Sequence, residues 1–86
     1  MNINELIKIV KNKLEAKIII QDLKIEDKSF LHKNHKGNQE GMFHLKLIIK
    51  SEELKKLNKI ESTKKIYNIL DHELKEHIHS IQILLS

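Results

Sequence analysis

Apolar residues at Ile3, Leu6, Ile7, Val10 and Leu14 recur at three- and four-residue intervals, the spacing that gathers one face of an amphipathic helix. Asn2 or Asn4 stands where a helix cap is needed. From Lys17 to Glu26 the chain turns β-branched and apolar, with Ile19, Leu23 and Ile25 sharing one face and Gln21 interrupting them. This run predicts a strand. Asp27 to Gly41 holds both glycines and few apolar residues, so it reads as a long loop. Phe43, Leu45, Leu47 and Ile49 then alternate with His44, Lys46, Ile48 and Lys50, the period of a strand with its first set turned to the core.

Ser51 precedes Glu52 and Glu53 and predicts a capped short helix over SEELKKLN, whose acidic first turn suits the helix dipole. A turn near Asn58 ends it. Ile60, Thr63, Ile66, Tyr67, Leu70 and Leu74 form an apolar stripe that predicts one longer helix from about Lys59 to Glu76. His79, Ile81, Ile83 and Leu85 alternate with Ile78, Ser80, Gln82 and Leu84 and predict a third strand. The order is α-β-β-α-α-β. The first two strands pair as an antiparallel hairpin and the last returns through the helices. The expected fold is an α+β sandwich, a three-stranded sheet with helices packed on one face, in a single domain over 1–86. The helical pattern between Ser51 and Glu76 also admits a helix-turn-helix.

The chain has 86 residues and no Cys, which leaves room for one small core and removes disulfides, thiolate nucleophiles, zinc fingers and an all-Cys iron–sulfur site. No apolar run approaches a membrane span, and the N-terminal segment lacks a signal-peptide core. A soluble cytoplasmic protein with no membrane partner is expected. Sixteen basic residues against 12 acidic give a net charge of +4, and every basic residue is Lys. Without guanidinium forks, base-specific DNA readout is disfavoured, although nonspecific phosphate contact is not.

Six His residues raise the question of metal. None has the His-Glu-x-x-His spacing of zinc hydrolases, and His72 and His77 are five apart, off one helical face. Ser29 is followed by no Gly, so a nucleophile turn is missing and no enzyme is expected. His79 shares a strand face with Ile81, Ile83 and Leu85, and on those residues alone it reads as a neutral, hydrogen-bonded core imidazole. His35, between Lys33 and Lys36, reads as a solvated loop residue. The two gain a shared function only if the loop brings them together.

Asp27-Lys28-Ser29, His35, His44, Ser51-Glu52, Tyr67 with Leu70, and Ile78-His79-Ser80-Ile81 follow one another in an order and spacing that resembles the BolA family over about Lys17 to Ile83. The resemblance implies a fold similar to class II KH domains and a monothiol glutaredoxin partner. With that partner, BolA-like proteins hold a shared [2Fe-2S] cluster used in iron–sulfur maturation or iron sensing. His79 matches the family's C-terminal ligand and His35 the ligand of its variable loop, while glutaredoxin and glutathione supply thiolates. The chain alone is then cluster-free, as a monomer or weak homodimer. Two imidazoles on one iron raise its reduction potential, and ligation weakens as pH falls through the His range. Leu45 stands where the family usually has Phe, Lys56 where Gly is usual, and Ser62-Thr63-Lys64 where Arg-His-Arg is common. The alternative function is a DNA-binding transcriptional regulator using a KH-like or helix-turn-helix surface with Lys55, Lys56, Lys59, Lys64 and Lys65. A KH-type Gly-x-x-Gly clamp between helices is absent, since the glycines are Gly37 and Gly41.

Overall fold

The computed structural model describes residues 1–29 and 42–86. The stretch between them contains most of the expected loop, with His32, His35, Gly37 and Gly41, which therefore lie outside the described residues. The elements are α1 (Ile3–Lys17), β1 (Asp22–Asp27), β2 (Phe43–Lys50), α2 (Glu52–Lys55), α3 (Lys59–Ile69), α4 (Asp71–Glu76) and β3 (Ile78–Leu85).

Asn2 caps α1, its Oδ1 accepting from the Glu5 amide at 2.8 Å while Glu5 Oε1 receives the Asn2 amide at 3.2 Å. Leu6, Val10 and Leu14 are fully buried, as the helical spacing requires. The helix runs through Lys17, so the strand expected from that residue starts later, at Asp22. Ile19, expected on its core face, is 70% exposed, whereas Ile18 is buried as the helix cap. A β-branched run carries no mark separating a helix's last turn from a strand's first residues. Leu23 and Ile25 do pack against the core.

The sheet is mixed, in the order β1-β2-β3, with β1 antiparallel and β3 parallel to the central β2. Leu23 faces Ile49 and Ile25 faces Leu47; on the other flank Leu45 pairs with Ile81 and Leu47 with Ile83. These side chains share one face and meet Leu6, Val10, Leu14, Leu54, Ile66 and Leu70 from the helices in one core. The parallel return requires a crossover, which α2, α3 and α4 provide.

Ser51 ends β2 and begins α2: its Oγ accepts from the Leu54 amide at 3.2 Å and donates to the Ile19 carbonyl at 2.8 Å. Glu53 accepts from the Ile19 amide at 3.3 Å and from Lys65 Nζ at 2.8 Å. One cap thus ties the α1–β1 connection to the entry of the crossover.

The single helix expected from Lys59 to Glu76 divides at Leu70, whose ψ of 16° leaves the helical range between α3 and α4. No Pro or Gly marks the break. Leu70 still donates to Ile66 and accepts from Leu74, so the bend redirects the axis without orphaning these groups. The buried face also differs from the expected stripe. Ile60 is 67% and Tyr67 42% exposed, while Ser62, Ile66, Leu70 and Glu73 are buried. Two polar side chains occupy that face because each is satisfied: Ser62 Oγ donates to the Lys59 carbonyl at 3.0 Å, and Lys13 Nζ reaches Glu73 at 2.7 Å.

Candidate functional site: paired imidazoles at a strand bulge

The site lies where β2 and β3 begin. Phe43 pairs with Ile78, but His44 pairs with Ser80, leaving His79 as an extra residue on β3. This is a β-bulge, a device that re-aims side chains. Ile78 and Ile81, three positions apart, both reach the core, while His79 is turned out and exposed. The core imidazole expected from alternation is thereby corrected. Period-two reading assigns His79 to the face of Ile81, and the bulge cancels that assignment at this residue alone.

His44, by contrast, is buried at 4% exposure. Its Nδ1 lies 2.6 Å from Ser80 Oγ, its amide donates to Ser29 Oγ at 3.1 Å, and its carbonyl accepts from the Lys28 amide at 2.7 Å. The Ser29 amide in turn donates to Asp27 Oδ1 at 2.9 Å. Asp27-Lys28-Ser29 is therefore a local turn whose hydroxyl fastens the first residues of β2. The His44 ring meets the His79 ring edge-on, centroids 4.8 Å apart and planes at 72°. One anchored imidazole thus supports one exposed imidazole.

Beside them is an open cleft of about 340 Å³ lined by Lys28, His44, Lys46, Ser80 and Gln82, among others. Across β1, Glu26 lies 3.5 Å from Lys28 and 3.6 Å from Lys24. Partial burial pushes its carboxyl pKa up, but the two ammonium groups outweigh that and hold it below the usual value. The cleft wall itself combines the cations Lys28 and Lys46 with polar His44, Ser80 and Gln82 and apolar Leu45 and Ile81, and Glu26 stands behind Lys28.

Of the two histidines expected as ligands, His79 is accessible at the bulge and His35 lies outside the described residues. Sequence reasoning missed His44 as a site residue. Its place on the strand parity opposite Leu45 suggested solvent, and only the bulge shows that it underlies His79. Of the Lys set, Lys55 and Lys59 line one cleft with Thr63 and Ile83. Lys65 is held by Glu53 at 2.8 Å and Lys55 lies 3.9 Å from Glu52, while Lys56, Lys59 and Lys64 are exposed. At four residues, α2 is a single turn and does not make a helix-turn-helix with α3. His72 and His77 approach to 6.1 Å because His77 leaves α4 as its C-cap.

Among the described residues no three His, Cys, Asp or Glu side chains gather to hold a metal ion. The donors that are present, exposed imidazole without thiolate, fit a cluster whose remaining ligands come from another molecule. Among the described residues they do not make up a self-contained metal centre.

Residues 14–86 match the family described as BolA-like protein. The chain belongs to the BolA family. Among its relatives is a protein of Haemophilus influenzae named DNA-binding transcriptional regulator BolA, 30% identical over 77 residues that span 90% of this chain and 72% of that one. The BolA domain of SufE1 from Arabidopsis thaliana superposes with a TM-score of 0.78 at 26% identity, covering 100% of this chain and 93% of that one. BolA1 from Arabidopsis thaliana gives 0.75 at 26% identity, with 90% and 85% coverage. A bol-like protein of Babesia bovis shares the fold at 17% identity and a TM-score of 0.70, with 91% and 79% coverage. The α+β BolA fold expected from the sequence is therefore the fold of this chain. No helix among its described residues is long and apolar enough to cross a membrane.

Proposed function

We propose that this BolA-like chain is a non-catalytic adaptor that pairs with a monothiol glutaredoxin and shares a [2Fe-2S] cluster with it in cluster maturation, trafficking or iron regulation. The observation that carries the reading is the exposed imidazole of His79, presented by a bulge and backed by the buried His44 ring at 4.8 Å. In this reading His79 is one ligand and His35 the other, and the partner's thiol and glutathione complete the set. Bound there, the cluster supplies one-electron chemistry and transferable iron. The chain itself contributes imidazole donors and an open cleft, lined by Lys28, Lys46 and Gln82 together with Leu45 and Ile81, that admits a partner.

The test is to add the protein to a cluster-loaded monothiol glutaredoxin and follow visible absorption and circular dichroism. Wild type should shift both spectra toward a His-ligated form, and His79→Ala should leave the glutaredoxin spectrum as it was. An unchanged spectrum with wild type ends the reading.

A second reading, a DNA-binding regulator, draws on the name of the Haemophilus relative and on the exposed Lys56, Lys59 and Lys64. Binding measured across salt concentrations separates it from nonspecific attraction. A regulator prefers its site over random DNA by ~10³ or more, whereas lysine-phosphate contact alone shows a salt slope and no preference.

A further inference from the structure

The two outer strands of the sheet are built differently. Four of the six residues of β1 are charged, Asp22, Lys24, Glu26 and Asp27, which is how an edge strand is kept from pairing with other chains. The other edge, β3, spans eight residues and contains no Lys, Asp or Glu, in a chain of which 33% is charged. Among the described residues β3 pairs with β2 alone. Leu84 and Leu85, at its end, remain 43% and 37% exposed.

The hydrogen-bond phase of that open edge can be read from the ladder. The Ser86 amide donates to the Ile49 carbonyl, and in a parallel pair alternate residues point the same way. Residues 82 and 84 therefore address β2, and Ile81, Ile83 and Leu85 offer their amides and carbonyls outward. Ile81-Gln82-Ile83 reads the same in both directions. A two-fold axis through Gln82 sets Ile81 opposite Ile83 of a second copy, both with outward-facing backbone groups and both on the helix-covered face. Gln82 then meets Gln82 on the open face, and Ser80 meets Leu84. No charged residue of β3 faces another across the seam, and the nearest lysines, Lys46 beside Gln82 on β2 and Lys55 and Lys59 beside Ile83 and Leu84, stand one row back from it.

We propose that β3 is a self-association edge, joining two copies antiparallel about Gln82 into one six-stranded sheet. The interface is isologous, the commonest way for a chain to pair with itself, and it does not depend on the cluster reading.

The absence of Cys makes the test clean. At the axis a non-hydrogen-bonded antiparallel pair brings Cα atoms to about 4.5 Å, within the span a disulfide bridges. Under mild oxidation Gln82→Cys should cross-link on the order of 10²-fold faster than Lys8→Cys on exposed α1, because pairing raises the local thiol concentration. Light scattering should show the mass rising from 10.2 kDa toward twice that with concentration, and Gln82→Lys should abolish the rise. Gln82 is exposed, so both variants keep the core, which circular dichroism checks. A mass that stays monomeric at all concentrations, or cross-linking at position 82 no faster than at position 8, overturns the proposal. Faster linking through Leu84→Cys overturns the register.

Discussion

His44 and His79 illustrate how one inserted residue separates two imidazoles by role. His79 gains exposure from the bulge, while the His44 ring is held beneath it by Ser80 Oγ at Nδ1 and its backbone is fastened by Ser29 and Lys28. Supporting groups of this kind are worth roughly 10- to 100-fold in affinity at ligated centres. His44→Ala should therefore weaken cluster retention with glutaredoxin by about tenfold, while His44→Phe, which keeps a flat ring, should recover most of the loss. In the partner-free protein the ring-proton resonances of His79 should move in His44→Ala and hold nearer their places in His44→Phe. Equal behaviour of the two variants would show that the ring contact does nothing for His79.

Among the elements, α2 is too short to persist by helical hydrogen bonds alone and depends on what its side chains reach. Glu53 joins it to α3 through Lys65 and to the α1–β1 connection through the Ile19 amide. The hydrogen bond from Lys65, then that from the Ile19 amide, hold the Glu53 carboxyl pKa below its usual value against a smaller upward push from burial. A lowered native pKa means that the unfolded chain takes up protons first on acidification. The contribution is complete above the unfolded carboxylate range, about 4.3, and disappears as pH falls through the native pKa. Melting temperatures measured from pH 7 down to 3 should fall less steeply below that range for Glu53→Gln than for wild type.

At this same scale the limits of the sequence are physical. Alternation in β2 and the helical spacing of α1 are legible because each is a local period imposed by one buried face. The Leu70 bend and the rotated face of α3 are not, since they depend on Ser62 and Glu73 finding partners at Lys59 and Lys13. The bulge at His79 is invisible for a related reason. It is a mismatch between two strands, and neither strand contains it alone.

For the molecule as a whole, the Lys13–Glu73 pair clamps α1 to α4 across 60 positions of chain. Glu73 is 4% exposed at its side chain and Lys13 40%, so water screens one partner and not the other. Lys13→Met should leave a buried carboxylate without its cation and cost about 2 kcal/mol, below the full penalty for a wholly buried pair because Lys13 is wetted. Pairing Lys13→Met with Glu73→Leu should return most of that stability in chemical denaturation, as the buried charge is then gone.

Because β3 lies parallel to β2, the middle strand receives its second neighbour only from residues 78–85. During synthesis, the ribosome must release residues 51–85, about two-fifths of the sequence, after β2 before that flank can close. Until then the growing chain carries an unfinished sheet, an interval in which a holding chaperone has its natural target.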